Sequence, residues 1–221
     1  MNHPLTIAVL GGTGAEGSGL AYRWSRAGHA VVIGSRDADK ARASAAELNT
    51  LAGASGIQGM SNEEAVLAAN IAVLTVPYAA QRPTVLPLRE ALRGKILVDV
   101  TVPLKPPKVD HVALPEGGSA VAALQVELGQ EVRVVAGFQN VSAHHLKDPT
   151  HVVDCDVLIC GDDRDACDEV VALASSAGLR AIHAGPVANA AAAEALTSLL
   201  IFINKRYKVK GAGVRITGLP E

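Results

Sequence analysis

Blocks of unbroken aliphatic residues alternate along this chain with stretches of helical period. Leu5–Leu10 (LTIAVL), Ala30–Ile33, Ile71–Val76 (IAVLTV) and Lys95–Val100 show no alternation of polar and apolar positions. Each therefore reads as a strand buried on both faces. Between them, Gly14–Ala27 places Leu20, Trp24 and Ala27 on one helical face, and Ala38–Leu51 is an alanine-rich helix. Ile57–Met60 reads as a short strand, Asn62–Ala69 as a helix opened by Glu63 and Glu64, and Thr84–Leu92 as a further helix. A Pro- and Gly-rich loop, Pro103–Gly118, interrupts the pattern and is long enough for a functional loop. The alternation then resumes with helix Ala120–Leu128, strands Val132–Phe138 and Asp156–Cys160, helix Arg164–Ser176 and strand Leu179–His183. A long helix, Val187–Tyr207, and a Gly-rich tail close the chain. The pattern predicts an α/β protein with a doubly wound, mostly parallel sheet and a small C-terminal α/β part, divided as 1–145 and 146–221.

Composition narrows the class. Of 221 residues, 49% are hydrophobic and only 3% aromatic, so the core is aliphatic and few rings are available to stack on bases. With a net charge of −2, this argues against a nucleic-acid platform. The cluster Lys205, Arg206, Lys208 and Lys210 reads as a solvated helix end. The N-terminal MNHPLTIAVL lacks the features of a signal peptide, and the apolar run Leu199–Ile203 is too short to span a bilayer, so a cytoplasmic protein is expected. Three cysteines, Cys155, Cys160 and Cys167, are an odd count that speaks against a disulfide framework. His144, His145 and His151 precede Cys155 without the spacing of a known metal-ligand set, and no metal is expected. The long helix after Pro186 is apolar almost all round, which calls for cover on several sides and predicts a homodimer.

The chemistry starts after the first strand, where Gly11–Gly19 reads GGTGAEGSG. Gly12, Gly14 and Gly17 fit G-x-G-x-x-G: a tight turn, close backbone approach to a pyrophosphate, and close helix–strand packing. The match directly follows a strand and opens a helix, so it predicts a dinucleotide site in a Rossmann-type unit. Arg36 lies 19 residues after Gly17, at the end of the second strand, where that fold meets the adenosine ribose. Ser35, Arg36 and Lys40 offer a hydroxyl and two cations where an NAD site usually carries an acid. Asp37 is present but reads as a helix cap. The preferred ligand is NADP(H).

The stretch GGTGAEGSGLAYRWSRAGHAVVIGSRDADKA resembles the start of the F420:NADP oxidoreductases, the NADPH-dependent coenzyme F420 reductases. IQGMSNEEAVLAANIAVLTVPY, GFQNVSAHHL, DVLICGDD and AGPVANAAAAEALTSLLIFIN follow in that family's order, so the resemblance covers nearly the whole chain. It implies direct hydride transfer between the nicotinamide C4 of NADP(H) and the C5 of the deazaflavin, with no catalytic side chain and no metal. It also implies a nucleotide-binding domain, over 1–145, and a smaller part, over 146–221, that covers the deazaflavin; the dimer contacts expected from composition fall in that same part. Carried over by position, Gly12, Thr13, Gly14, Ala15 and Glu16 line the diphosphate, and Ser35, Arg36 and Lys40 hold the 2′-phosphate. Val76, Val102 and Ala143 approach the nicotinamide. Val141, Ser142 and Thr197 lie near the deazaflavin. Gln139 stands with them, where some members carry a histidine. His144 or His145 could steady the deazaflavin's ring oxygens. Other readings are an NADPH-dependent reductase of a flavin, quinone or imine on the same fold, and a non-catalytic NADP-binding sensor. The second motif, GFQNVSAHHL, disfavours the sensor, which needs no second pocket.

Overall fold

Six parallel strands run side by side, and two more extend the sheet in the opposite direction. The computed structural model describes residues 4–53, 56–148 and 150–219. The first three residues of the N-terminal stretch discussed above lie outside them. In chain order the elements are β1 (Thr6–Leu10), α1 (Ala15–Arg26), β2 (Ala30–Ser35), α2 (Ala38–Ala52), β3 (Ile57–Ser61), α3 (Asn62–Ala68) and β4 (Ile71–Leu74). They continue with α4 (Gln81–Val85), α5 (Arg89–Leu92), β5 (Ile96–Asp99), α6 (Ala120–Leu128), β6 (Arg133–Ala136), β7 (Asp156–Gly161), α7 (Arg164–Ser176), β8 (Arg180–His183) and α8 (Ala190–Tyr207). The sheet order is β3-β2-β1-β4-β5-β6-β7-β8. Among the described residues, only the β6–β7 pairing is antiparallel.

The unbroken apolar runs have a direct cause. Along β1, Ile7 and Val9 point into one core, while Ala8 and Leu10 point into the other. The first core lies under α1, α2 and α7 and includes Leu20, Trp24, Ile33, Phe138 and Val170. The second holds Val66, Leu74, Leu92, Leu97 and Leu124. With helices on both faces, every position of a central strand must be apolar.

The elements follow the sequence expectations with three differences. The helix expected over Thr84–Leu92 is broken into α4, a 3-10 turn at Leu86–Leu88, and α5. Pro87 sits in that turn and has no N–H to continue a helical ladder. The strand expected over Val132–Phe138 is paired only from Arg133 to Ala136. Beyond it Phe138 takes φ +70°, a left-handed conformation uncommon outside glycine, which turns the chain off the sheet. Its ring is held edge-to-face on Trp24 at 5.9 Å.

The third difference concerns α8, which begins after a 3-10 turn at Val187–Asn189. Ala190, Ala193, Glu194, Ser198 and Leu200 are buried, but Leu199 and Phe202 are about half exposed, at 48% and 52%, and Tyr207 is 70% exposed. Burial on several sides is thus not achieved within one chain. The buried side is fixed by polar contacts. The Glu194 carboxylate accepts from the Ser119 hydroxyl at 2.6 Å and from the Ala120 and Val121 N–H groups at 2.9 and 3.2 Å. It thereby caps α6 from another helix. By length and composition Val187–Tyr207 is apolar enough to cross a membrane, with mean hydropathy 1.5, although the short run Leu199–Ile203 alone is not.

The chain after α8 returns to the sheet. The Asp156 N–H donates to the Val214 carbonyl at 2.8 Å, and the Ile216 N–H donates to the Asp156 carboxylate at 2.6 Å. Asp156 is fully buried and also takes two hydrogen bonds from Arg180, at 2.8 and 2.9 Å.

Candidate functional site

Strand order reverses between β1 and β4, and a crevice opens beyond their C-terminal ends, where open α/β sheets bind ligands. The glycine turn forms one wall. A Cβ on Gly12 would sit 2.8 Å from the Val9 carbonyl oxygen and 2.9 Å from Ile33 Cδ1, so Gly12 is a packing position beneath the turn. A Cβ on Gly17 would overlap the Thr75 hydroxyl and come within 2.8 Å of Gly12 Cα, so this glycine lets α1 lie against the sheet. Gly14 caps α1 without any side-chain bond, which leaves first-turn N–H groups facing the crevice, as an anion requires.

The crevice has two parts. A hollow of about 240 Å³ is lined by Thr13, Gly14, Ser35, Arg36, Asn62 and Val76, among others. Arg36 is exposed and makes no hydrogen bond or ion pair among the described residues. The acid of this loop is already committed: Asp37 caps α2 by accepting from the Asp39 and Lys40 N–H groups at 3.1 and 3.2 Å. Ser35 Oγ accepts from the Asp37 N–H at 3.2 Å. The Lys40 ammonium lies 3.9 Å from Asp37, outside the hollow's lining but one helical turn from Arg36. The hollow therefore presents hydroxyl and guanidinium and no free carboxylate.

The second part is a larger cleft of about 510 Å³, continuous with the first through Gly14, Thr75, Val76 and Pro77. Ala15 and Glu16 line it from the glycine turn, Val76 and Val102 from strand ends, and Gln139, Val141 and Ser142 from the segment after β6. Helix α8 contributes Thr197, Leu200, Ile201 and Asn204, one helical face at spacings of three, four and seven. Two bonds bring the tail over the rim. The Ser142 hydroxyl donates to the Lys210 carbonyl at 2.8 Å, and the Ala212 N–H donates to Asn204 Oδ1 at 2.9 Å.

The floor of the cleft is a buried polar network. Gln139, 3% exposed, donates from Nε2 to the Asp99 backbone carbonyl at 2.7 Å, and its Oε1 has no partner. Asp99 accepts from Gln81 Nε2 at 2.6 Å and from the Thr101 N–H at 2.9 Å. Burial pushes the Asp99 carboxyl above its usual range despite those bonds, and burial does the same to Glu194. At the mouth, Glu16 Oε1 is enclosed without a partner, and burial pushes this carboxyl up to about 8.

The structure thus gathers Thr13, Gly14, Ala15, Glu16, Ser35, Arg36, Val76, Val102, Gln139, Val141, Ser142 and Thr197 around one crevice. Gly12 lies beneath it, and Lys40 and Ala143 lie just outside the lining. His144 and His145 also fall outside it. His145 instead stacks on His151 at 3.9 Å, and its backbone carbonyl accepts from Arg23. Sequence reasoning missed Asn62, Thr75, Leu200, Ile201 and Asn204. The last three were within reach, because they continue the helical face of Thr197 and place an amide on an otherwise apolar stripe.

The model of a protein family described as NADP oxidoreductase, coenzyme F420-dependent, matches residues 6–103. The chain is 43% identical to the F420-dependent NADP reductase of Methanothermobacter thermautotrophicus over 98% of its own length and 97% of the relative's. It is 39% identical to the protein of that name from Methanocaldococcus jannaschii, over 97% and 99%. A crystal structure from Arthrobacter sp. FB24, described as a candidate F420-dependent NADP reductase, superposes with a TM-score of 0.81 at 27% identity, covering 96% of this chain and 99% of that one. An imine reductase from Bacillus cereus shares the fold at a TM-score of 0.63 and 18% identity, over 92% of this chain and 62% of that one.

Proposed function

Because the chain belongs to the family of F420-dependent NADP reductases, we propose that its crevice is where a hydride passes directly between NADP(H) and coenzyme F420. The observation that carries this reading is the two-part crevice itself. Its smaller hollow offers Ser35 and Arg36 to an anion, and its larger cleft, about 510 Å³, is lined by aliphatic and neutral polar groups apart from one carboxyl. Such a volume falls in the range of ligand sites. Hydride transfer between two rings needs them stacked in register and shielded from water.

The chain's residues divide that work. Arg36 and Ser35 grip the 2′-phosphate, with Lys40 adding a point charge. The backbone of the turn from Gly12 to Glu16 and the free first-turn N–H groups of α1 hold the diphosphate. Val76, Val102 and Ala143 bound the nicotinamide, and Gln139, Val141, Ser142 and Thr197 bound the deazaflavin. Segment 146–221 then acts as a cover, since α8 and the tail close the rim. The exposed α8 face, with Leu199, Phe202, Ile203 and Tyr207, serves as a homodimer contact. A monomer by solution scattering would refute that assembly. The protein works in the cytoplasm.

Stopped-flow mixing of NADPH with F420, followed by loss of the oxidised deazaflavin's absorbance, tests the reaction. Turnover with F420 well above that with FMN, a quinone or a cyclic imine is expected. Turnover with an imine and none with F420 would favour the imine-reductase reading, which the shared fold alone supports.

A further inference from the structure

We propose that Glu16 is the proton donor and acceptor of this reaction, a role no neighbouring side chain of the cleft can take. The inference rests on the hydride exchange above. Reduction of the deazaflavin by NADPH moves two electrons and one proton as a hydride, from the nicotinamide C4 to the deazaflavin C5. The ring electrons shift to N1, which must then gain one further proton. The sum is NADPH + F420 + H⁺ giving NADP⁺ + F420H₂. The step therefore calls for a proton donor positioned beside the stacked rings.

Among the described residues lining the cleft, Glu16 is the only one with a carboxyl, imidazole, amine, thiol or phenol. The rest of the lining is glycine, alanine, proline, aliphatic side chains, hydroxyls and neutral amides. The carboxyl is also uncommitted, as it makes no hydrogen bond or ion pair among the described residues. Oε1 is enclosed and orphaned, whereas Oε2 is not enclosed and the side chain as a whole stays partly open. One oxygen is therefore walled in protein and the other is available to the cleft. An enclosed oxygen without a donor disfavours the anion, and burial accordingly holds this carboxyl protonated up to about 8.

Among the described residues, no other charged side chain lines the cleft. Asp99 lies behind the floor, fully buried and bonded to Gln81 and Thr101. Arg36 opens on the other hollow. Lys208 and Lys210 are exposed and outside the lining, and Lys205 is paired with Asp110 at 2.9 Å. Burial is the one resolved cause of the Glu16 shift. The charge balance also suits the step, because the carboxylate left after donation sits in the same cleft as the nicotinamide cation formed by hydride loss.

The test compares wild type with Glu16→Gln, in both directions, across pH 6–10. In the wild type, F420 reduction should slow as pH rises past about 8, and NADP⁺ reduction by F420H₂ should quicken over the same span. In Glu16→Gln both profiles should flatten and kcat should fall about a hundredfold, in the range for loss of a positioned acid or base. NADPH affinity, read by direct titration, should stay within about twofold, which places the loss in the chemical step and not in nucleotide binding. An unchanged kcat and pH profile in Glu16→Gln, or a raised KM with kcat preserved, overturns the inference and leaves the hydride reading standing. A wild type that passes no hydride to F420 overturns both.

Discussion

The Thr197 hydroxyl donates to the backbone carbonyl of Gln139 at 2.8 Å, joining the last helix to the segment that floors the cleft. One turn earlier on the same helix, Glu194 holds the start of α6. These two bonds fix where α8 lies over the crevice. Thr197→Val keeps the side chain's shape and removes the donor. The expected loss is about 1 kcal/mol of stability, read from urea midpoints. The KM for F420 should rise several-fold, while that for NADPH stays within about twofold. Equal rises for both substrates would mean that α8 positions the whole crevice.

Arg36 is unpaired among the described residues and faces the hollow, while Asp37 is engaged as a cap. Arg36→Ala should weaken NADPH binding by roughly 1.5–3 kcal/mol, the range for a lost charge-assisted contact. NADH binding should barely change. Calorimetric titration with both nucleotides checks this, and an equal loss for NADH would reassign Arg36 to a structural role.

Gly17 has no room for a side chain, because its Cβ would overlap Thr75 and press on Gly12 Cα at 2.8 Å. The obstruction on one side is backbone, which cannot swing away. Gly17→Ala should therefore push α1 off the glycine turn, cost roughly 1–3 kcal/mol in overpacking, and lower NADPH affinity more than tenfold. Unfolding curves and nucleotide titration read the two effects separately. Wild-type affinity in this variant would show that the helix start plays no part in holding the diphosphate.

Much of this was legible in the chain because the determinants are local. The two-sided burial of β1 shows as an apolar run, and Asp37 shows as a cap because an acid directly precedes a helical stretch. Gly12, Gly14 and Gly17 mark the turn by spacing alone. What stayed hidden depends on contacts distant in sequence. Nothing near Gln139 reveals that its amide bonds to Asp99, 40 residues earlier. Nothing near Glu194 reveals that it caps a helix beginning some 74 residues before it. The half-exposed Phe202 was also unreadable, since an apolar helix looks the same whether its own domain or a second copy covers it.

The uncommitted carboxyl of Glu16 should make itself felt in stability as well as in catalysis. Its folded value, about 8, stands above the ordinary 4.5, so the folded state binds this proton more tightly than the unfolded chain does. The stability it contributes is complete below pH 4.5 and is lost as pH rises toward 8. A glutamine at this position does not titrate and escapes the loss. In the substrate-free protein, Glu16→Gln should therefore gain on wild type between pH 5 and pH 9, by on the order of 1–3 kcal/mol. The full shift at 1.36 kcal/mol per unit would give more, but one oxygen remains open to solvent, which screens the charge. Asp99 and Glu194 are also pushed up by burial, yet they are present in both proteins and cancel in the difference. Urea unfolding of both proteins at the two pH values measures the gain directly. A difference that does not change with pH would mean that the carboxyl is well solvated in the free protein, and a variant both more stable and slower in alkaline buffer would show what the acid costs the fold.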